Sequence, residues 1–290
     1  MEPTYNDIKI EHLRTTRPRP INLKELVRFK KSLTLADYPR RGKEYNQVFL
    51  EEVHNWIKSH SLCKLLGLDT FPVRESILGT THSLDEIHFI NKGKVAVLEN
   101  EYRYHGRLNV PVKFMQSWVE LSKDDVFVVS MPNCNTTNIV KDYNHIFNYC
   151  LKHNIPVHID AAWFGCTRNF ELDCSHPAIK SVSVSLSKSL AMGNQRIGIR
   201  YTREKIVGPI SIMNDFGYHN VSDQWMGIKM MKHFGPDYLW SNYEEQYNKV
   251  CQDFNLTPSD AIHVAWNNEG SMIGTRLPLR MLIDKKWDNR

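Results

Sequence analysis

Between residues 44 and 202 the chain alternates two apolar rhythms. From 44 to 61, Val48, Phe49, Val53, Trp56 and Ile57 recur at the spacing of a helix with one buried stripe. V-R-E-S-I-L at 73–78 predicts a short strand. S-L-D-E-I-H-F-I at 83–90 predicts a second helix, with acidic residues early, where the helix dipole favours them. Continuous apolar runs of strand length follow at 94–98 (K-V-A-V-L) and 126–130 (V-F-V-V-S). Residues 142–152 place Ile146, Phe147, Cys150 and Leu151 on one helical stripe. Runs at 156–161, 181–187 and 196–201 predict three more strands. Short apolar strands interleaved with helices predict an α/β fold, a mostly parallel central sheet sandwiched by helices.

Outside that stretch the pattern changes. Residues 1–43 are rich in Pro and Arg and poor in periodicity, which predicts an arm wrapped over other parts. Beyond 202 the sequence turns helix-prone and aromatic, with a last strand expected at 275–283. The expected division is an arm at 1–44, a large domain at 45–205, and residues 206–290 completing a smaller split α+β domain with the arm. Hydrophobic and charged fractions of 41% and 24% suit a globular protein. The net charge of +5, from 37 basic and 32 acidic residues, is mild and fits small anionic ligands as well as it fits nucleic acid. The densest basic run, R-T-T-R-P-R at 14–19, reads as a solvated arm. Six cysteines show neither a C-x-x-C pair nor His/Cys metal spacing, so free thiols in a reducing compartment and no metal are expected. The N-terminus lacks the charged-then-apolar pattern of a secretory signal, and no window approaches the roughly 18 apolar residues of a membrane span. A cytoplasmic protein with no membrane or nucleic-acid partner is expected.

The candidate chemistry lies at 158–163 (H-I-D-A-A-W) and 185–198 (S-L-S-K-S-L-A-M-G-N-Q-R-I-G). Side chains alternate across a strand, so Ser183, Ser185 and Ser187 share one face, and Lys188 falls with Val184 and Leu186 on the other. The chain must bend near Ser187 if Lys188 and Ser185 are to meet one ligand. A lysine hemmed by apolar residues and near a second cation has a lowered pKa and a nucleophilic amine. Arg196 offers a planar fork to a phosphate, with Ser185 and Ser187 as hydroxyl donors. Asp160 falls where the carboxyl edge of a sheet would put it, with His158 on the same face. These groups match the needs of pyridoxal 5′-phosphate (PLP): an amine, a carboxylate for the pyridinium nitrogen, and donors for a dianionic phosphate.

The spacing of Ser185, Lys188, Arg196 and Gly198, with D-A-A-W at 160–163, resembles the fold-type I PLP aminotransferases related to the aspartate and histidinol-phosphate enzymes. That resemblance implies that Lys188 forms the internal aldimine and later moves a proton, that Ser185 and Arg196 grip the cofactor phosphate, and that Asp160 pairs with the pyridinium. It also implies a phosphate loop at Gly79, Thr80 and Thr81. An aromatic stacking on the cofactor ring would be Tyr102, with Tyr104 the alternative. M-P-N-C-N-T-T-N is similar to the loop that contacts the phenolic oxygen and leaves Asn133 and Asn135 both open. Trp163 replaces the family's tyrosine. L-A-D-Y-P resembles the motif whose tyrosine, here Tyr38, reaches the partner subunit's phosphate, which implies a homodimer. M-I-G-T-R-L-P-L resembles the strand with the arginine that clamps the substrate α-carboxylate, pointing to Arg276 and then Arg280. The likeness runs in register from 38 to 202 and thins over a C-terminal part shorter than the family's usual. It implies an aminotransferase acting between an amino acid and a 2-oxo acid. H-I-D-A-A-W is also similar to the motif of PLP amino-acid decarboxylases, so a lyase or decarboxylase is the alternative.

Overall fold

The structure, a computed structural model, describes residues 4–15, 19–34, 38–39, 42–99 and 101–288. In chain order its strands are β1 (Cys63–Leu66), β2 (Val73–Ile77), β3 (Val95–Leu98), β4 (Lys113–Met115), β5 (Val126–Ser130), β6 (Val157–Ala161), β7 (Phe170–Asp173), β8 (Ile179–Ser185), β9 (Gly198–Thr202), β10 (Thr257–Pro258), β11 (Val264–Trp266) and β12 (Met272–Gly274). Its helices are α1 (Lys24–Ser32), α2 (Gly42–Lys58), α3 (Thr80–Asn91), α4 (Tyr143–Lys152), α5 (Pro209–Asp215), α6 (Val221–Phe234), α7 (Tyr238–Asp253) and α8 (Arg276–Asp288).

Seven strands form the central sheet in the order β2-β9-β8-β6-β5-β3-β4. From β8 to β4 the neighbours run parallel, while β9 is antiparallel to both β8 and β2. The sheet is therefore mostly parallel, with one reversed strand. The unbroken apolar run of β5 follows from cover on both faces. Val126 and Val128 pack with Leu84 and Ile87 of α3, whereas Phe127 and Val129 join the main core on the other side. On that other side α2 packs against α6. A buried charge cluster ties the reversed strand into the layers. The Arg200 guanidinium sits between Glu75 and Glu86, its Nε donating to Glu75 at 3.0 Å. Glu86 in turn accepts the Ile210 N–H at 2.7 Å, so β9, β2, α3 and the start of α5 share one network.

Several boundaries differ from expectation. The strand expected at 275–283 is a helix: β12 ends at Gly274 and α8 starts at Arg276. Pro278 is tolerated there because it stands in the first turn, where N–H groups have no intrahelical acceptor. Helix α3 starts directly after Gly79, three residues before its expected start, and β8 ends at Ser185, two residues early. The N-terminal arm carries a helix, α1, and contributes Ile21, Leu23 and Leu26 to the main core. The arm also pairs with the small antiparallel sheet β10-β11-β12 through a bridge between Arg14 and Ile273. Among the described residues no helix is long and apolar enough to cross a membrane.

Candidate active site

Strand register brings distant segments to one edge of the sheet. Asp160 is paired with Ser130 on one side and Ser183 on the other, while Ser185 and Ile77 both face Gly198 across β9. Gly79 follows Ile77 by two residues, Arg196 precedes Gly198 by two, and Lys188 follows Ser185 by three. The three therefore meet at the carboxyl edge of the parallel strands, where open α/β sheets hold their ligands. Gly198 makes the close approach possible. A Cβ there would stand 2.3 Å from the Val184 carbonyl oxygen, so no side chain fits. After β8 the chain bends at Leu186 and turns through 187–190, with the Leu190 N–H donating to the Leu186 carbonyl at 3.2 Å. The bend carries Lys188 from the face that strand alternation assigns it into the same cavity as Ser185 and Ser187.

That cavity has a volume of about 1300 Å³. One corner is built for an anion. Gly79 adopts φ 78, ψ 168, a region open in practice to glycine, and a Cβ would lie 2.6 Å from Arg196 Nη2. Arg196 itself holds φ 43, and its Nη2 donates to Thr81 Oγ1 at 2.6 Å. The N–H groups of Thr80 and Thr81 precede the first helical bond of α3, which His82 donates to Gly79 at 3.1 Å. No acidic residue occupies that first turn. A helix N-terminus capped by a guanidinium attracts phosphate or carboxylate. Ser187 lines the same cavity, and its buried Oγ has no hydrogen-bond partner among the described residues.

Asp160 and Lys188 also line the cavity. Burial pushes the Asp160 carboxyl up to about 6, against the pull of the Lys188 ammonium and the Thr80 hydroxyl, and with some help from Glu101. The Ala162 N–H donates to Asp160 Oδ1 at 3.0 Å and fixes its orientation. Burial lowers the Lys188 amine, Cys166 and Asp160 oppose the shift, and Arg196 adds to it. An amine so placed gives up its proton more readily than a surface lysine. Trp163 is a cavity wall, packed edge-on against His263 with ring centroids 4.6 Å apart. Burial holds His263 down at about 3, and neither of its ring nitrogens has a partner among the described residues. His158 bonds Ser181 at 2.7 Å and does not line the cavity, so it supports the sheet.

The remaining expected residues divide. Thr80, Thr81, Tyr102, Asn135 and Arg276 line the cavity. Asn133 does not: its Oδ1 accepts the Asn135 N–H at 2.9 Å and the Thr136 N–H at 3.2 Å, so its side chain shapes the loop. Tyr104 is turned to α3, donating to Asp85 at 2.5 Å. Arg280 lies one helical turn beyond Arg276 and is not among the lining residues. Tyr38 also stands outside the cavity, in edge contact with Trp225 at 6.0 Å, and residues 35–37 of its motif lie outside the described residues. Sequence reasoning missed Glu101. Its buried carboxylate accepts the Ser130 N–H at 2.9 Å, the Ser130 hydroxyl, the Tyr102 N–H at 2.9 Å and the Cys134 thiol at 3.0 Å. Glu101 thereby joins the loops after β3 and β5. Its only sequence signal was adjacency to Tyr102.

The fold is similar to that of a group of solved enzymes. An aminotransferase from Staphylococcus aureus matches with a TM-score of 0.61 at 12% identity, over 94% of this chain and 91% of that one. A tyrosine aminotransferase from Leishmania infantum matches at 0.56 and 11%, over 95% and 90%. A PLP-bound C-S lyase from Staphylococcus hominis matches at 0.59 and 9%, over 94% and 90%. At these identities the likeness is one of fold. No protein-family model and no curated protein matches the sequence.

Proposed function

We propose that the protein is a PLP-dependent aminotransferase that moves an amino group between an amino acid and a 2-oxo acid. The observation that carries this reading is the meeting of Lys188, Asp160 and the Gly79–Arg196 anion cradle in one cavity. The residues present fit the cofactor. The cradle leaves no room for a side chain at Gly79, a buried hydroxyl on Ser187 lacks a partner among the described residues, and the donors suit a phosphate dianion. Gly79, Thr80, Thr81, Arg196, Ser185 and Ser187 would hold the phosphate. Asp160 would face the pyridine nitrogen, Tyr102 the ring, and Asn135 the phenolic oxygen. When bound, the cofactor supplies an electron sink for a carbanion at the substrate Cα.

The chain's own groups do the rest. Lys188 would hold the cofactor, and its amine, when free of that bond and with its pKa lowered by burial, would take the proton from the substrate Cα as general base. Arg276 binds the substrate α-carboxylate with its guanidinium fork. Asp160, ionised once a cation faces it, keeps that cation protonated. A C-S lyase among the fold neighbours supports a second reading, elimination or decarboxylation on the same cofactor contacts. Release of product without any amino acceptor would favour it. A homodimer belongs to the same proposal. Exposed apolar side chains, Phe89 of α3 with Val207, Phe216 and Tyr218 around α5, offer a face for a second copy.

The test is covalent. After loading with PLP, borohydride reduction and peptide mapping should put a pyridoxyl group on Lys188. Label on another lysine overturns the assignment.

A further inference from the structure

The N-terminal arm, its basic run at 14–19 expected to be solvated, forms part of the cavity wall: Arg14, Arg19, Pro20, Val27 and Lys30 all line it. Helix α1 gives the arm a fixed base. Leu26 belongs to the main core, and the Phe29 ring stacks on His233 of α6 with centroids 3.9 Å apart. The Tyr243 hydroxyl of α7 donates to Glu25 at 2.9 Å, and the Lys24 N–H donates to Asp284 of α8 at 3.1 Å. From that base Lys30 reaches the loop after β8, where its ammonium donates to the Ala191 carbonyl at 2.6 Å.

The loop it grips, residues 186–196, carries Lys188 near one end and Arg196 at the other. Its backbone is strained. Ala191 at φ 53 and Arg196 at φ 43 both occupy the left-handed region that residues with a Cβ rarely adopt. Such conformations persist only where the surroundings hold them. Leu190, Ala191 and Met192 are buried, and a buried carbonyl needs a donor. The loop's own main-chain bonds, Leu190 N–H to the Leu186 carbonyl and Gln195 N–H to the Met192 carbonyl, leave the Ala191 oxygen to Lys30. The arm presses on the same loop at a second point, since a Cβ at Gly193 would stand 3.1 Å from Pro20 Cγ. A lysine ordinarily keeps its ammonium in water, and here four side-chain torsions are fixed to hold one carbonyl.

We infer that Lys30 is a positioning residue: by holding the Ala191 carbonyl it keeps loop 186–196 in the form that brings the Lys188 amine and the Arg196 guanidinium into one cavity. What those two groups do there rests on the proposed function, and the experiment separates the two. Hydrogen exchange on the ligand-free protein tests the clamp. Lys30→Met keeps the apolar stem and removes the donor, and Lys30→Arg keeps a charged donor. In Lys30→Met the amides of 186–196 should exchange at least about tenfold faster while those of α1 stay as in the wild type, and Lys30→Arg should recover most of the protection. After PLP treatment, the rate at which borohydride-trapped label appears on Lys188 should fall and recover in the same order. The wild type alone gives a further reading: by NMR at pH 5 the Lys30 ammonium protons should exchange with water at least about tenfold more slowly than those of the exposed Lys232 and Lys249. Loop exchange that ignores Lys30→Met, loosening shared equally by α1, an unchanged labelling rate at Lys188, or Lys30 protons as fast as the exposed ones each overturn the inference. Faster loop exchange in Lys30→Met, with no label on Lys188 even in the wild type, leaves the clamp standing and sinks the cofactor reading alone.

Discussion

Gly79→Ala probes the anion cradle at its tightest contact, and its effect divides into two parts that different measurements read. The backbone at φ 78, ψ 168 is nearly closed to residues bearing a Cβ. Holding alanine there costs about 1–3 kcal/mol, which appears in the stability of the ligand-free protein. The new methyl would also stand 2.6 Å from Arg196 Nη2 and 2.9 Å from Cζ, well inside contact distance, so the guanidinium must leave. An anion in the cradle then loses a charge-assisted hydrogen bond of about 1.5–3 kcal/mol, roughly ten- to 150-fold in affinity. Urea midpoints measure the first part, and calorimetric titration with inorganic phosphate and with PLP measures the second. Thr81→Ala is the companion variant. It removes the 2.6 Å contact to Arg196 without backbone strain, so anion affinity should fall while stability moves by no more than about 1 kcal/mol. Wild-type affinity for both anions in Gly79→Ala would refute the cradle, because the guanidinium cannot keep its place beside that methyl.

Two further outcomes are expected. The Asp160 carboxyl, with a folded value of about 6 against an ordinary 3.8, favours the folded state fully below pH 4 and loses that contribution as pH rises through 6. The ligand-free protein should therefore lose about 3 kcal/mol from this group between pH 4 and 7.5, and Asp160→Asn should flatten that slope in urea titrations. An unchanged slope in the variant would show that Asp160 is not the group responsible. Burial, then the Glu101 charge, pushes the Cys134 thiol up. Glu101→Gln should therefore speed iodoacetamide labelling of Cys134 at pH 8, read by mass spectrometry of the Cys134 peptide, and a rate equal to wild type would refute the contact.

Much of the fold is written in local pattern. The strand at 126–130 is β5 to the residue, because an apolar run covered on both faces has no alternation to blur its ends. The bend near Ser187 followed from parity together with the requirement that Lys188 and Ser185 meet one ligand. The run L-P-L-R-M-L-I after Arg276 misled because a short apolar stretch satisfies both periods, and a first-turn proline does not exclude a helix. Long-range placement was less legible. Nothing local says that the arm's arginines fold back against a hairpin more than 250 residues away, or that Glu101 will find Ser130 and Cys134 across two loops. Nor does the local sequence tell the surroundings of Asn133 from those of Asn135. In the folded loop Asn133 Oδ1 accepts turn N–H groups, while Asn135 lines the cavity.

The reversed strand β9 has a thermodynamic consequence for the whole sheet. The two halves of the cradle, Thr81 and Arg196, are 115 residues apart and meet only because β9 is docked between β2 and β8. An unfolded or partly opened chain has no cradle at all, so an anion held there binds the closed form alone. At a hundred times its dissociation constant such a ligand adds about 2.7 kcal/mol to global stability. By the same linkage, a chain whose cradle is filled should resist opening and proteolytic cleavage better than a ligand-free one.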